Sequence, residues 1–264
     1  MPATLDTDAR TAYDALAPVY DALTAQYPYA RWLGHLVSLA REHGLRGTRA
    51  LDLACGTGNS FTPLLELGFS VTAADVSPKM CAEARRKPGA VAVHEADLRD
   101  LPPLGSFDLV TCIDDAINYL LTVDEVTAAF RGVADQLGPG GLLVFDVNTL
   151  RTHRETFSET WSSDTGQHVI VWQGTGSADL RPGEITQATI DTFSAVGSSW
   201  SRTTAGHRQR HHPLAELLDA LADAGLEAVA TRGQHRGAVL EDHVDELAHT
   251  KIVVVARARE EVCP

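Results

Sequence analysis

The four cysteines, Cys55, Cys81, Cys112 and Cys263, show no C-x-x-C spacing. Three of them sit in apolar or glycine-rich surroundings, the setting of buried free thiols. This is the cysteine usage of a reducing compartment. Residues Met1 to Asp6 hold neither a basic stretch nor an apolar core, so no secretory signal is expected. No apolar run approaches the ~18 residues that cross a bilayer. The expected location is the cytoplasm, with no membrane partner. Aromatic residues are sparse, at 6%. Positive charge is also short: 22 Lys and Arg face 35 Asp and Glu, a net charge of −13. Nucleic-acid affinity depends on pairing phosphates with Lys and Arg, so this balance disfavours a nucleic-acid partner. A neutral or cationic small substrate suits it better. No repeat or low-complexity tract breaks the chain. Its 264 residues, 44% of them hydrophobic, suffice for one α/β domain with a modest appendage.

One stretch organises the chain: Ala50-Leu51-Asp52-Leu53-Ala54-Cys55-Gly56-Thr57-Gly58-Asn59-Ser60. It reads as an apolar strand, a glycine turn and the start of a helix. Asp75 closes the next apolar run, Phe69 to Ala74. That is a nucleotide-type βαβ start. Glycine lets the backbone turn tightly and lets a ligand approach the helix N-terminus. The acid after the second strand is placed to accept hydrogen bonds from a ribose diol. A dinucleotide site expects G-x-G-x-x-G, yet Phe61 stands where the third glycine belongs, and Asp52 lies within the end of the first strand. A carboxylate there repels a pyrophosphate. A ligand with a sulfonium and an ammonium tolerates it or is held by it. The residues therefore favour S-adenosylmethionine over NAD or ATP.

The text L-D-L-A-C-G-T-G (51–58), followed by A-D-V-S-P-K-M (74–80), resembles the class I S-adenosylmethionine-dependent methyltransferases. The resemblance implies a Rossmann-like α/β fold: a mostly parallel seven-stranded sheet, an antiparallel strand insertion and an N-terminal helical lid. It implies S-adenosylmethionine as cofactor and S-adenosylhomocysteine as product. Asp52, Ala54, Cys55, Gly56, Gly58, Asp75, Val76 and Ile113 are the expected contacts around the turn and strand ends. Met80 would pack on the adenine, with core filling as the alternative. In E-A-D-L (95–98), Asp97 would accept from the adenine amine and the Leu98 N–H would meet the ring. Residues 13–21 resemble the Y-D-x-x-A-x-x-Y-D entry of small-molecule methyltransferases, which implies that Tyr20, Arg31 and Trp32 close on the methionine end. A helix-packing stripe is the other reading of that segment.

In chain order, residues 9–43 read as helical with breaks at Pro18 and Pro28. Strands are expected at 49–54, 69–74, 91–94, 107–113, 142–147, 226–230 and 252–257, the last at a sheet edge beside 226–230. Helices are expected at 60–66, from Ser77-Pro78 to before Pro88, from 123 or 124 to 137 behind a Thr122/Glu125 capping box, at 214–224 and at 239–249. Gly138-Pro139-Gly140-Gly141 reads as a turn. Alternating runs at 168–174, 184–194 and 199–208 predict three antiparallel strands. The implied division is a lid at 1–45, a cofactor-binding core at 46–150, a cap over the substrate side at 151–208, and completion of the core sheet at 209–264. Residues 259–264 read as a loose tail.

Methyl transfer from a sulfonium is an in-line displacement, so the protein must hold a nucleophile about 3 Å from the methyl. A hydroxyl acceptor gains from a general base, and an amine must be bound neutral. Candidates are Asp114, Asp115, Asn118, Tyr119, His153 and the histidines of 207–212. Residues 112–120 resemble the C-x-x-D-S-x-N-Y-L text of small-molecule methyltransferases, with Ala116 in place of the serine. H-R-Q-R-H-H (207–212) resembles their E-H-x-x-R-x-Y strand end, without the acid and with His212 for the tyrosine. Asp115, Tyr119, His207 and Arg210 are the expected catalytic set. His207, His211 and His212 with Asp114 or Asp115 could ligate zinc or iron, but their spacing matches no established ligand pattern and no metal is expected. The expected function is methyl transfer from S-adenosylmethionine to N or O of a small molecule, by a monomer or homodimer. The rival is a non-catalytic S-adenosylmethionine-binding partner or sensor, which a degenerate glycine loop or a lost ribose acid would support. Both features are intact. The missing N/D-P-P-Y/F text after residue 113 argues against amino-methylases of adenine, cytosine and glutamine.

Overall fold

The computed structural model describes residues 8–259; Cys263, the start of the chain and most of the expected loose tail lie outside the described residues. The chain opens with helices α1 (Ala9–Leu16), α2 (Tyr20–Leu23) and α3 (Tyr29–Glu42). A 3₁₀ turn carrying Pro18 separates the first two, and Pro28 precedes the third. Proline cannot donate within a helix, so the stripe is cut where it occurs.

Strands β1 (Arg49–Leu53), β2 (Ser70–Asp75), β3 (Ala92–Glu95), β4 (Phe107–Cys112) and β5 (Leu137–Asn148) pair in parallel, in the order β5-β4-β1-β2-β3. Helices α4 (Phe61–Glu66), α5 (Pro78–Ala84) and α6 (Val123–Ala134) cross between them. Ser77 caps α5 by accepting from the Met80 N–H, and Thr122 and Glu125 form the capping box of α6. The glycine run 138–141 is a bulge inside β5 rather than a free turn. Gly140 is left-handed there, and a Cβ on Gly141 would lie 2.6 Å from the Phe107 carbonyl oxygen.

After β5 comes α7 (Leu150–Glu155), then a separate antiparallel sheet of β6 (Thr160–Asp164), β7 (His168–Gly174), β8 (Ile185–Val196) and β9 (Ser199–Arg210). The sheet has four strands, not three. Residues 160–164 are exposed throughout and carry no apolar alternation, so their pattern gave no strand signal. Helix α8 (Leu214–Asp223) leads back to the large sheet and β10 (Leu226–His235), β11 (Val239–Glu241) and β12 (Lys251–Ala258).

Three expectations change here. Among the described residues the large sheet has eight strands, because Gly237 and Ala238, both at positive φ, turn β10 back into the short β11. That hairpin replaces the helix expected at 239–249, and residues 242–250 hold only turns and bends. β12 does not lie at the edge but between β5 and β10, antiparallel to both. Its residues 252–256 are all buried, which requires cover on both faces. Val253 and Val255 join the layer of Leu36, Leu64 and Leu109; Val254 and Ala256 join that of Phe130, Phe145 and Leu221. A third cluster packs Leu16, Val19 and Met80 against Ile170 and Ile190 of the small sheet. No helix among the described residues is long and apolar enough to cross a membrane.

Phe145 is fully buried against Phe130, with ring centroids 5.0 Å apart. Phe145→Ala is expected to cost about 3–5 kcal/mol of folding stability. Urea denaturation with an unchanged m-value would show it; a loss below about 1 kcal/mol would mean that this layer collapses around the gap.

Candidate active site

The carboxyl ends of the parallel strands open onto two adjoining cavities, of about 710 and 720 Å³. Tyr13, Tyr20, Asp114 and Tyr119 line both. Ligands of open α/β sheets bind at this edge.

The first cavity is lined by Ala54, Gly56, Asp75, Val76, Asp97, Leu98 and Ile113, which the fold brings together from the exits of β1 to β4. Asp75 organises it. Its two oxygens accept the Gly56 and Ser77 N–H groups, each at 2.8 Å, so the acid holds both the glycine turn and the start of α5. A carboxylate has about four acceptor sites, which leaves capacity for a diol. Burial pushes Asp75 up to about 6, against these bonds. Asp97 is turned toward Arg99, whose side-chain and backbone nitrogens donate to it at 2.6–3.1 Å. Arg99 lines the same cavity and had no signal in the sequence pattern.

Other expected contacts face elsewhere. Asp52 is fully buried and accepts from Ser60 Oγ at 2.5 Å and Thr111 Oγ1 at 2.7 Å, tying β1 to β4 and to the start of α4. Gly58 faces the Phe61 ring, where a Cβ would sit 2.4 Å from Cζ. Cys55 is buried in the core and Met80 in the cluster beneath α1, so neither lines the cavity. Trp32 lines only the second cavity, with Nε1 donating to Gln234 Oε1 at 2.8 Å, and Arg31 is exposed and lines neither.

The second cavity gathers Asp114, Asp115, Tyr119, His207 and Gln209 with Trp161, Trp172 and Lys251. Lys251 Nζ lies 2.8 Å from both Asp115 and Asp146 and 3.6 Å from Asp114. Asp146 also accepts the Asp114 and Asp115 N–H groups at 2.7 and 2.9 Å. These bonds hold both residues in left-handed backbone, φ 64° and 57°, a strain of the kind found at functional sites. Burial raises the Asp114 carboxyl above its ordinary range, while Lys251 pulls it down. The acid accepts from the Tyr29 hydroxyl at 2.9 Å. Asp115 accepts from Gln209 Nε2 at 2.5 Å. Tyr119 and His207 meet through the hydroxyl and Nδ1 at 2.8 Å. Burial pushes His207 down to about 4, so its ring is neutral near pH 7.

Arg210 leaves this group. Strand side chains alternate, and β9 sends His207 and Gln209 into the second cavity while Arg210 pairs with Glu216 outside both. Asn118 braces the backbone, donating to Arg210 O and accepting from the Asn148 N–H, each at 2.9 Å. His153 packs against Phe157 and bonds Thr186, and burial lowers it to about 3. The three histidines weighed as ligands diverge: His207 meets Tyr119, His211 Glu246, and His212 the Leu120 carbonyl. Lys251, Asp146 and Gln209 were missed; Lys251 and Asp146 stand 105 residues apart, and no local pattern joins them.

Asp52 yields a pH prediction. Burial and the facing Asp75 carboxylate raise it to about 6, above its unfolded value. The folded state therefore binds its proton more tightly, and this stability is present below about pH 4 and lost as pH rises through about 6. Asp52→Asn should flatten the fall in stability between about pH 4 and pH 7 by on the order of 3 kcal/mol. Parallel urea-denaturation profiles for the two proteins would show that Asp52 titrates normally.

The methyltransferase domain family matches residues 50–141. The putative methyltransferase YqeM of Bacillus subtilis (strain 168) is 31% identical over 221 residues, covering 81% of this chain and 86% of that protein. The cypemycin N-terminal methyltransferase of a Streptomyces sp is 31% identical over 243 residues, covering 89% and 92%. An S-adenosylmethionine-dependent methyltransferase from Clostridium acetobutylicum ATCC 824 shares the fold, with a TM-score of 0.76 at 23% identity over 93% of this chain and 98% of that one.

Proposed function

Since the chain belongs to the class I S-adenosylmethionine-dependent methyltransferases, we propose that it methylates a nitrogen or oxygen of a small molecule, an amine being the acceptor that its second cavity suits best. The observation that carries this reading is the pair of cavities joined at Tyr13, Tyr20, Asp114 and Tyr119. One side offers a glycine turn and a ribose-type acid; the other offers carboxylates among aromatic rings.

Gly56, Asp75, Val76, Leu98 and Ile113 would hold S-adenosylmethionine, and Asp75 keeps free acceptor capacity toward a diol. When bound, that cofactor supplies an electrophilic methyl on a sulfonium. Asp114 and Asp115, with Tyr20 and Trp172, suit a cationic amine through charge and ring faces. An amine must lose its proton before it attacks. Asp114 holds a proton more readily than an exposed carboxylate, which fits it to take that proton. Neutral His207 orients the Tyr119 hydroxyl rather than carrying charge. A relative aligned over 92% of its length is named for an N-terminus, which supports nitrogen over oxygen.

The segment 1–45 is read as a lid and 151–208 as the substrate-side cap. Each Tyr-Asp pair divides its work: Tyr13 and Tyr20 line the cavities, while Asp14 accepts from Ser77 Oγ and Asp21 from Thr57 Oγ1, both at 2.5 Å.

Calorimetric titration with S-adenosylmethionine and S-adenosylhomocysteine, with NAD as control, tests the cofactor reading; folded, ligand-free protein that binds neither adenosyl ligand would overturn it. Asp75→Ala should weaken S-adenosylmethionine binding by about 1.5–3 kcal/mol, roughly 10- to 100-fold; unchanged affinity would remove Asp75 from the cofactor site. His207→Ala should slow turnover about 10-fold, for one lost positioning bond, with cofactor affinity near wild type. An equal loss of cofactor affinity would instead put His207 in the fold or the cofactor site.

A further inference from the structure

The end of β10 and the segment that leads from it to β12 gather three histidines around one carboxylate. His235 Nε2 lies 3.1 Å from Glu241 Oε1, and His249 Nε2 lies 3.1 Å from Glu241 Oε2. His243 Nε2 stands 3.7 Å from that second oxygen. The donor atoms of His235, Glu241 and His249 all fall within 4.8 Å of one another. In tetrahedral zinc with bonds of about 2.1 Å, ligand atoms lie about 3.4 Å apart. Metal binding would draw the outer side chains, the exposed His243 among them, in to that spacing.

The geometry points to a zinc-type metal site formed by His235, Glu241, His243 and His249, which fastens the β10–β11 hairpin to the segment entering β12. Imidazole with one carboxylate is a borderline ligand set that suits zinc rather than calcium or magnesium. Two further features fit a built site. First, His249 is buried, and its ring lies on the backbone of Gly233, where a Cβ would come within 2.3 Å of Cε1 and Nδ1. A glycine inside β10 is thus required by the ring beside it. Second, His249 Nδ1 sits 2.9 Å from the Asp245 N and 3.1 Å from the Asp245 O. One tautomer accepts from that N–H and donates Nε2–H to Glu241. The other donates Nδ1–H to the carbonyl and turns the Nε2 lone pair toward the cluster, the arrangement that orients metal-bound histidines. His243, with its side chain 70% exposed, leaves an entry path.

The role is structural. None of the four residues lines either cavity, but Gln234, Ala238 and Lys251, their neighbours in sequence, line the second. Gln234 holds Trp32, and the Ala238 carbonyl meets His35 Nδ1 at 2.8 Å. A metal here would fix that wall.

The test uses the full chain without a histidine tag, stripped with EDTA and titrated with zinc by calorimetry and with cobalt(II) by visible absorption. One zinc per chain is expected, with the strong visible bands of four-coordinate cobalt. Zinc at 100 times its Kd should raise the folded-to-unfolded ratio about 100-fold, read as a higher Tm. The double variant His235→Ala/Glu241→Gln changes half-exposed positions, so it should keep the metal-free Tm while losing at least about 100-fold in zinc affinity. Equal zinc affinity in variant and wild type, or a weak octahedral cobalt spectrum with no Tm shift, would overturn the proposal. These readouts need no methyl donor or acceptor, so they stand apart from the methyl-transfer reading.

Discussion

One buried ammonium holds the wall of the second cavity together. Lys251 Nζ is shared among Asp114, Asp115 and Asp146, and it lies 5.5 Å from the centre of the Trp32 ring. Three carboxylates that close would repel one another, and burial raises the carboxyls of Asp114 and Asp146. The lysine offsets both effects, and the carboxylates in turn raise Lys251 well above its ordinary value. Removing one partner of such a group leaves an uncompensated buried charge, which costs about 3–5 kcal/mol. The arrangement also governs backbone shape. Asp146 grips two successive N–H groups after β4, and that grip keeps Asp114 and Asp115 in left-handed conformations where neither residue would rest alone. The wall of the second cavity therefore depends on a residue at the start of β12, far along the chain.

The N-terminal helices are anchored by the same kind of contact. Asp14 on α1 and Asp21 on α2 each reach a different part of the core: the cap of α5 and the glycine turn. Asp21 also takes an ion pair from Lys87. The tyrosines beside them are thereby delivered to the seam between the cavities. Met80 supports this from below, since it fills the cluster that joins α1 to the small sheet. Tyr13 and Tyr20 thus pack against that cluster and line the cavities at once.

Local chemistry was legible in the sequence; long-range placement was not. The glycine turn, Asp75, the Ser77 cap and the Thr122 capping box are contiguous patterns whose physics is complete within a few residues. The seven core strands were each readable from their apolar runs. Position in the sheet was harder. Ile252 to Ala256 read as a strand, but only the absence of alternation marked it as interior, buried on both faces. Thr160 to Asp164 had no apolar pattern because the whole strand is exposed. Side-chain direction failed for the same kind of reason. Asp52, Cys55 and Met80 belong to the recognisable text, yet they serve the turn and the core beneath it, and Arg210 is one step out of phase with His207 on β9.

The placement of strain and buried charge then follows from the rest of the fold. Left-handed Ala54, Asp114 and Asp115 all sit where β1 and β4 end, above a sheet covered on both faces by apolar layers. Residues in that conformation cost of order 1–3 kcal/mol each and persist only where surrounding structure over-determines them. Here the over-determination is visible bond by bond: Asp75 holds Gly56, two residues beyond Ala54, and Asp146 holds Asp114 and Asp115. Both acids lie at or near the ends of buried strands. A buried carboxylate is costly unless it is hydrogen-bonded, and a turn of strained N–H groups supplies those bonds. Acid and turn thus satisfy each other. Asp75 lines the first cavity as well as holding its turn, whereas Asp146 stays buried and it is the residues it holds, Asp114 and Asp115, that line the second.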